Sequence, residues 1–300
     1  MTRCTPSRVR LFHTRLTTLA AAACAGLVGC AQMAPQGAPA AETVFAVTDN
    51  HALIRFNAGQ PGRVLDRKPI TGLAPGDALV GIDYRVARGV LYALGRSGQL
   101  YTLDTSNATL MRVGGGAPAG ALRGQRFGID FNPVADRLRV VSDSGLSLRL
   151  HPDTGAMMDG DLTAVGLQPD AALSWAEGDA SASVPPALLA AAYTYNKQSD
   201  KLTTNFAIDR RGLLVVQGSR EGAVPVVSPN SGRLSTIGAL GTGALDDAAF
   251  DIADVSGAAY AALRSGGSSV WYRIDLTSGR ATRIGAVADG GPLRGIAIEP

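Results

Sequence analysis

Three aspartates hold the same place in a recurring segment of this 300-residue chain. They are Asp83 in Val80-Gly81-Ile82-Asp83-Tyr84, Asp130 in Phe127-Gly128-Ile129-Asp130-Phe131, and Asp251 in Ala248-Ala249-Phe250-Asp251-Ile252. Carboxylates repeated in this way converge if the repeats surround an axis. Converging carboxylates suit a hard cation such as calcium, which prefers oxygen ligands, or the hydroxyls of a sugar. They also suit a plainer task, accepting hydrogen bonds from the backbone of a neighbouring repeat, and a residue that recurs once per repeat usually does that. Two further segments weaken a symmetric ring. Arg294-Gly295-Ile296-Ala297-Ile298 has Ala297 at the position, and Ala191 to Asn196 aligns with Thr194 there.

A second group lies in a long insertion that carries Asp170, Trp175, Glu177 and Asp179. An aromatic side chain beside carboxylates can bind a sugar face, and long loops on a rigid scaffold tend to carry function. Trp175 and Asp179 are the residues of this group expected to touch a ligand; the opposing reading makes Trp175 a plug that packs the loop against the scaffold. Asp246-Asp247, just before a repeat, reads as rim or turn. Asp153-Thr154-Gly155, Asn230-Ser231-Gly232 and Thr277-Ser278-Gly279 read as hairpin turns, because Gly supplies positive φ and the polar side chains bond local backbone.

Nucleophilic and thiol chemistry has little material. The cysteines are Cys4, Cys24 and Cys30, all near the start, and beyond them only His51 and His151 remain, far apart in sequence. A Ser-His-Asp triad or a His/Cys zinc site is therefore not expected, and no catalytic residue is assigned. No cofactor is expected either, calcium at the aspartates being the one ion the residues would suit.

The start of the chain has a chemistry of its own. Arg3, Arg8, Arg10 and Arg15 precede an apolar run of about fourteen residues, Leu16 to Gly29, too short to span a bilayer and of the length of a signal-peptide core. It ends in Leu27-Val28-Gly29-Cys30, which resembles the bacterial lipobox. The expectation is a signal peptide over 1–29, a lipidated Cys30, a flexible tether over 30–41, and one folded domain over 42–300. Ala31 stands where an Asp would resemble an inner-membrane retention signal, so outer-membrane sorting is expected in a Gram-negative cell. Cleavage would also remove those four arginines and no acid from a chain of 28 basic and 25 acidic residues, leaving 24 against 25. The basic pI of 8.9 then belongs largely to the leader, and no nucleic-acid partner is expected.

The elements that must position the aspartates are short strands. Gly81 and Gly128 are 47 positions apart, Ala249 and Gly295 are 46, and the intervals between are longer. After each first strand come further alternating segments separated by turns, as in Val90–Leu94, Leu100–Asp104 and Leu110–Val113. Four hairpin-linked strands repeated at this spacing predict an all-β fold, a β-propeller of five four-stranded blades. Six blades would require the insertion between Asp161 and Pro186 to form strands. The domain opens at Thr43–Val47 on what matches a second strand and stops on Leu293–Glu299, which matches a first. The C-terminal strand is thus predicted to complete the N-terminal blade and close the ring.

The segment Gly128-Ile129-Asp130-Phe131-Asn132-Pro133, followed by Asp136-Arg137-Leu138-Arg139-Val140, resembles the bacterial extracytoplasmic family DUF4394. So does Trp175-Ala176-Glu177-Gly178-Asp179 leading into Ala192-Tyr193-Thr194-Tyr195-Asn196. The resemblance spans nearly all of residues 43–299 and implies secretion and a propeller-like repeat; it assigns no chemistry. The functional expectation is a membrane-tethered module of the cell envelope that binds a protein or saccharide ligand. The alternative is a propeller hydrolase or lactonase using carboxylates, with or without calcium, which needs paired acids at working distance.

Overall fold

The computed structural model describes residues 1–2, 37–115 and 122–300. The proposed signal peptide, Cys30 and most of the tether lie outside the described residues. Among those described, no helix is long and apolar enough to cross a membrane. The compact unit Gln36–Pro300 is built from short antiparallel sheets. Strands β1 (Thr43–Thr48), β2 (Ala52–Asn57) and β3 (Val64–Pro69) belong to the first blade, and β4 (Leu79–Arg85), β5 (Val90–Gly95), β6 (Leu100–Asp104) and β7 (Thr109–Arg112) form the second. The third holds β8 (Phe127–Asn132), β9 (Arg137–Ser142) and β10 (Ser147–Leu150). The insertion supplies β11 (Ser174–Trp175), which joins β12 (Leu188–Tyr193), β13 (Asn205–Asp209), β14 (Leu213–Gln217) and β15 (Arg233–Ala239) in the fourth blade. The fifth is β16 (Asp247–Ile252), β17 (Ala259–Ser265), β18 (Ser268–Ile274) and β19 (Ala281–Ala286). Strand β20 (Leu293–Ile298) then pairs antiparallel with β1, Val44 opposite Ile298 and Ala46 opposite Ile296, so the last strand closes the first blade. The fold is a five-bladed β-propeller.

Alternation along the strands shows why the blades stack. Successive side chains point to opposite faces of a strand, and here each face meets a different neighbour. Val44 and Ala46 of β1 pack with Tyr260 and Trp271 of the fifth blade, while Phe45 and Val47 pack with Tyr84 and Leu91 of the second. The same holds at every junction: five apolar clusters, each shared by two successive blades. Trp271 is fully buried and donates its indole N–H to the Ala58 carbonyl of the first blade at 2.9 Å. It satisfies the polar end of a large apolar side chain across the junction.

The innermost strands β4, β8, β12, β16 and β20 approach closely, which explains the glycine in the repeat. A Cβ on Gly128 would lie 2.4 Å from the Ala191 nitrogen, and one on Gly295 2.7 Å from the Ile82 nitrogen. Two blades depart from the four-strand expectation. The third has three strands, because after the Asp153-Thr154-Gly155 turn the chain pairs only at Met157 and Met158 before Asp159 and Gly160 turn it away. The fourth has five, with β11 laid parallel on β15. That two-residue strand is all the insertion between Asp161 and Pro186 contributes, so there is no sixth blade.

Candidate functional site

The inner strands bring Asp83, Asp130 and Asp251 together in the central channel. One carboxylate oxygen of each lies within 4.8 Å of the others, and the residues are 4%, 2% and 6% exposed. Their hydrogen bonds follow a rule. Asp83 of the second blade accepts from the Phe131 N–H of the third at 2.6 Å. Asp130 of the third accepts from the Tyr193 N–H of the fourth at 3.0 Å, and Asp251 of the fifth from the Ile298 N–H of the first at 2.6 Å. Each carboxylate therefore clips its strand to the next blade.

This pattern corrects the alignment of the fourth blade. Tyr193 donates as Phe131 and Ile298 do, so the residue before it, Ala192, occupies the aspartate position, two places from Thr194. Thr194 lies beyond the end of β12. The fourth and first blades thus carry Ala192 and Ala297, which cannot accept. The N–H groups that would meet them turn to their own strands: Ile252 N–H donates to Asp251 at 2.6 Å, and Tyr84 N–H lies against Asp83 and favours its charged form. Three carboxylates thus serve five blades' backbone donors, as buried N–H groups require.

Charge makes the cluster costly. Burial, then the proximity of Asp251, pushes the Asp83 carboxyl well above the usual range. Burial, then Asp83 and Asp251, does the same to Asp130. Burial raises Asp251 to about 7. Carboxylates this close cannot all ionise without a cation or a shared proton. A cation between them would gain three oxygen ligands, half or less of the six to eight calcium takes. Tyr195, just past β12, faces the trio; burial, then the charges of Asp83, Asp130, Asp251 and Asp254, raises its phenol.

The other end of the channel is chemically different. Where the inner strands begin, a cavity of about 380 Å³ opens, lined among others by Arg96, Arg126, Asp247 and Arg294. Asp247 and Arg126 hold the same repeat position in β16 and just before β8, and pair with Arg126 Nε 3.3 Å from the carboxylate. Arg264 approaches the same oxygen at 3.5 Å. Arg96 donates to the Gly124 carbonyl at 2.7 Å and lies over the Phe127 ring, 5.6 Å from its centroid. Burial raises the Asp247 carboxyl, against the lowering effect of Arg126, Arg264 and Arg294. Between this mouth and the aspartates the channel narrows to a void of about 20 Å³ walled by Gly81, Gly128, Ala190, Ala249 and Gly295, room for little more than one water. Arg126 and Asp130 are four residues apart along one strand, roughly 13 Å.

Trp175 and Asp179 do not join the trio. They lie at the outer edge of the fourth blade, four strand spacings or roughly 19 Å from β12. Trp175 donates its indole N–H to the Val184 carbonyl at 2.7 Å and packs under Arg211. Asp179 accepts from the Thr236 N–H at 2.7 Å and from Ser181 N–H at 2.8 Å. Both fasten the insertion to β15. Asp170 is tied elsewhere, between Arg139 at 2.5 Å and Arg149 at 2.7 Å, with Arg139 and Asp170 fully enclosed. The arginines of the mouth escaped the reading of motifs. Their signal was present: Arg294 stands where three of the repeats have Val80, Phe127 and Ala248, a charge at an apolar position.

Among solved structures, the chain shares 10% identity with one from a nidogen/laminin complex, covering 86% of this chain and 98% of that one at a TM-score of 0.45. It shares 12% with YCF48 from Cyanidioschyzon merolae, covering 82% and 70% at 0.39. No match was found among curated proteins. The family described as a domain of unknown function, DUF4394, matches residues 52–297, most of the five-bladed ring, and the chain belongs to that family.

Proposed function

We propose that the protein is a lipid-anchored binding module of the bacterial cell envelope, its propeller held on Cys30 and offering the channel mouth to a ligand or protein partner. The observation that carries the binding role is the recessed cavity of about 380 Å³ at that mouth. Its size falls within the range of small-molecule sites, and it is framed by strands rather than by mobile loops alone. The anchoring half of the proposal rests on the basic leader, the short apolar run and Leu27-Val28-Gly29-Cys30. Outer-membrane sorting follows from Ala31 in a Gram-negative cell.

The carboxylate-hydrolase reading is the weaker one. Its acids would have to reach a substrate, and the convergent aspartates are enclosed and engaged with backbone N–H groups. The test is an affinity capture from envelope extracts with the full-length lipidated protein, beside a Val80→Trp variant that fills the mouth. The proposal expects a partner or ligand recovered by the first and lost by the second, with the two proteins giving the same circular-dichroism spectrum at the temperature of capture. Identical recovery would place binding elsewhere. A Cys30→Ser variant that still fractionates with membranes and carries no lipid would overturn the anchor.

A further inference from the structure

We infer that the channel mouth selects ligands bearing an anionic oxo group, a carboxylate or a phosphate; the inference rests on the mouth being the binding site. Several observations converge on it. Asp247 is the one acid among the described residues that line the cavity, and the guanidinia of Arg126, Arg264 and Arg294 all act on it. The lining itself holds three guanidinia, those of Arg96, Arg126 and Arg294, against that one carboxylate, an excess of two. Arg96, on the opposite wall, is held in place by the Gly124 carbonyl and the Phe127 ring.

Arg294 is the sharpest clue. It is half-buried in the mouth, yet among the described residues it makes no hydrogen bond and no ion pair. A planar fork of five donors, left without a partner at a position where sister strands carry apolar side chains, has no evident task in holding the ring. The same fork matches a carboxylate or a phosphate in bidentate fashion. Among the described residues Arg126 uses only its Nε, on Asp247 and on the Asp246 carbonyl, which leaves its two terminal nitrogens for a ligand. Low-dielectric walls such as Leu79 and Phe127 strengthen the field inside the recess. The constriction of about 20 Å³ below makes it a blind pit, so a ligand enters and leaves by one face.

The aspartate trio does not interfere. It lies beyond the constriction, and burial raises the pKa of its carboxyls, which keeps protons on them and reduces the charge of the trio.

The experiment titrates full-length protein in detergent micelles with acetate, inorganic phosphate and acetamide, followed by calorimetry or protein NMR shifts. Acetate and acetamide share a shape and differ in charge. The inference expects acetate or phosphate to bind in the millimolar range, and acetamide not at all. Comparing acetate with phosphate tells which group the mouth prefers. Arg294→Gln should weaken that binding about ten- to a hundredfold, the effect of losing one hydrogen bond to a charged group, with no change in melting temperature. Raising salt from about 0.1 M to about 0.5 M should weaken it further. No binding by either anion, acetamide binding as well as acetate, or an Arg294→Gln variant that binds like the parent would each overturn the inference. These failures are separable from failure of the binding role. If Val80→Trp still abolishes capture from extracts, the mouth remains the site and only the ligand class is wrong.

Discussion

A protein that seals three carboxylates in its axis should lose stability as the pH rises through neutrality. The sign follows from linkage. In the unfolded chain an Asp titrates near 3.9, whereas folded Asp251 titrates at about 7 and Asp83 and Asp130 are also raised. A raised acid contributes stability that is fully present below its unfolded value and lost as pH climbs to its folded one. Between pH 5 and pH 8 the Asp251 shift alone corresponds to roughly 3 kcal/mol, and the other two act in the same direction. Against a total of about 5–15 kcal/mol this is large. The acids held below their ordinary range, Asp104, Asp136, Asp179 and Asp275 among them, titrate outside that window and do not blur it.

The perturbation of choice is Asp130→Asn. Asp251 accepts on both oxygens, so an amide there would set N–H against N–H. Asp130 accepts through Oδ1 alone among the described residues. An Asn can keep that bond from Tyr193 and turn its amide toward the neighbouring carboxylates. It resembles the protonated acid at every pH. Urea denaturation at pH 5, 6, 7 and 8 should show the parent losing stability steadily, and the variant losing less, by up to about 1.4 kcal/mol per pH unit. The gap between the two curves should be widest at pH 8, with the variant the more stable, and should narrow toward pH 5 and close only near the unfolded value of about 3.9. A parent curve flat from pH 5 to pH 8, or a variant curve parallel to it, would refute the reasoning.

Three other outcomes follow from the same structure. If calcium replaces the shared proton, adding it at pH 8 raises the parent's melting temperature, EDTA reverses this, and Asp130→Asn abolishes it; a melting temperature indifferent to both rules the ion out. Gly128→Ala drives a Cβ into the backbone of Ala190 and Ala191 at 2.4–2.5 Å, so a loss of about 1–3 kcal/mol or more is expected in urea titration, and a neutral result would mean the strands can part. Asp170→Asn leaves the enclosed Arg139 without its carboxylate, a loss of about 3–5 kcal/mol by calorimetric unfolding; a change under 1 kcal/mol would show that Tyr193, Ser147 and Asn230 suffice to hold the guanidinium.

The ring was legible in the sequence because every blade repeats the same demands. Gly81, Gly128 and Gly295 recur where inner strands crowd, and Val44–Val47 alternate because each face of β1 meets a different blade. The closing of β20 on β1 could be read from the segment types at the two ends. Convergence of Asp83, Asp130 and Asp251 was legible for the same reason. The fourth blade was misaligned by two residues because Ala190-Ala191-Ala192 carries neither the glycine nor the aspartate that mark the position elsewhere. The hydrogen bond from Tyr193 to Asp130 and the close approach of Gly128 to Ala190 and Ala191 fix the register. The missing strand of the third blade and the added one of the fourth were hidden because edge pairing depends on where the insertion comes to rest, a tertiary outcome that local pattern does not carry.

A repeat also sorts its own exceptions. Where a blade obeys the pattern, the residue is explained by the ring: a glycine for contact, an aspartate for the next blade's N–H. Where it departs, two physical cases arise. Ala192 and Ala297 delete an acceptor, and the neighbouring strand repairs the loss with its own aspartate, which also keeps the axis from gathering five carboxylates instead of three. Arg294 does the reverse. It adds a charge that, among the described residues, nothing on its own blade or the next one uses, and it does so at the wide end of the channel, where Arg126 and Asp247 hold one further repeat position. An unrepaired departure is the kind a fold has no reason to keep for itself, which is why the mouth, and not the aspartate trio, is where a ligand should be sought.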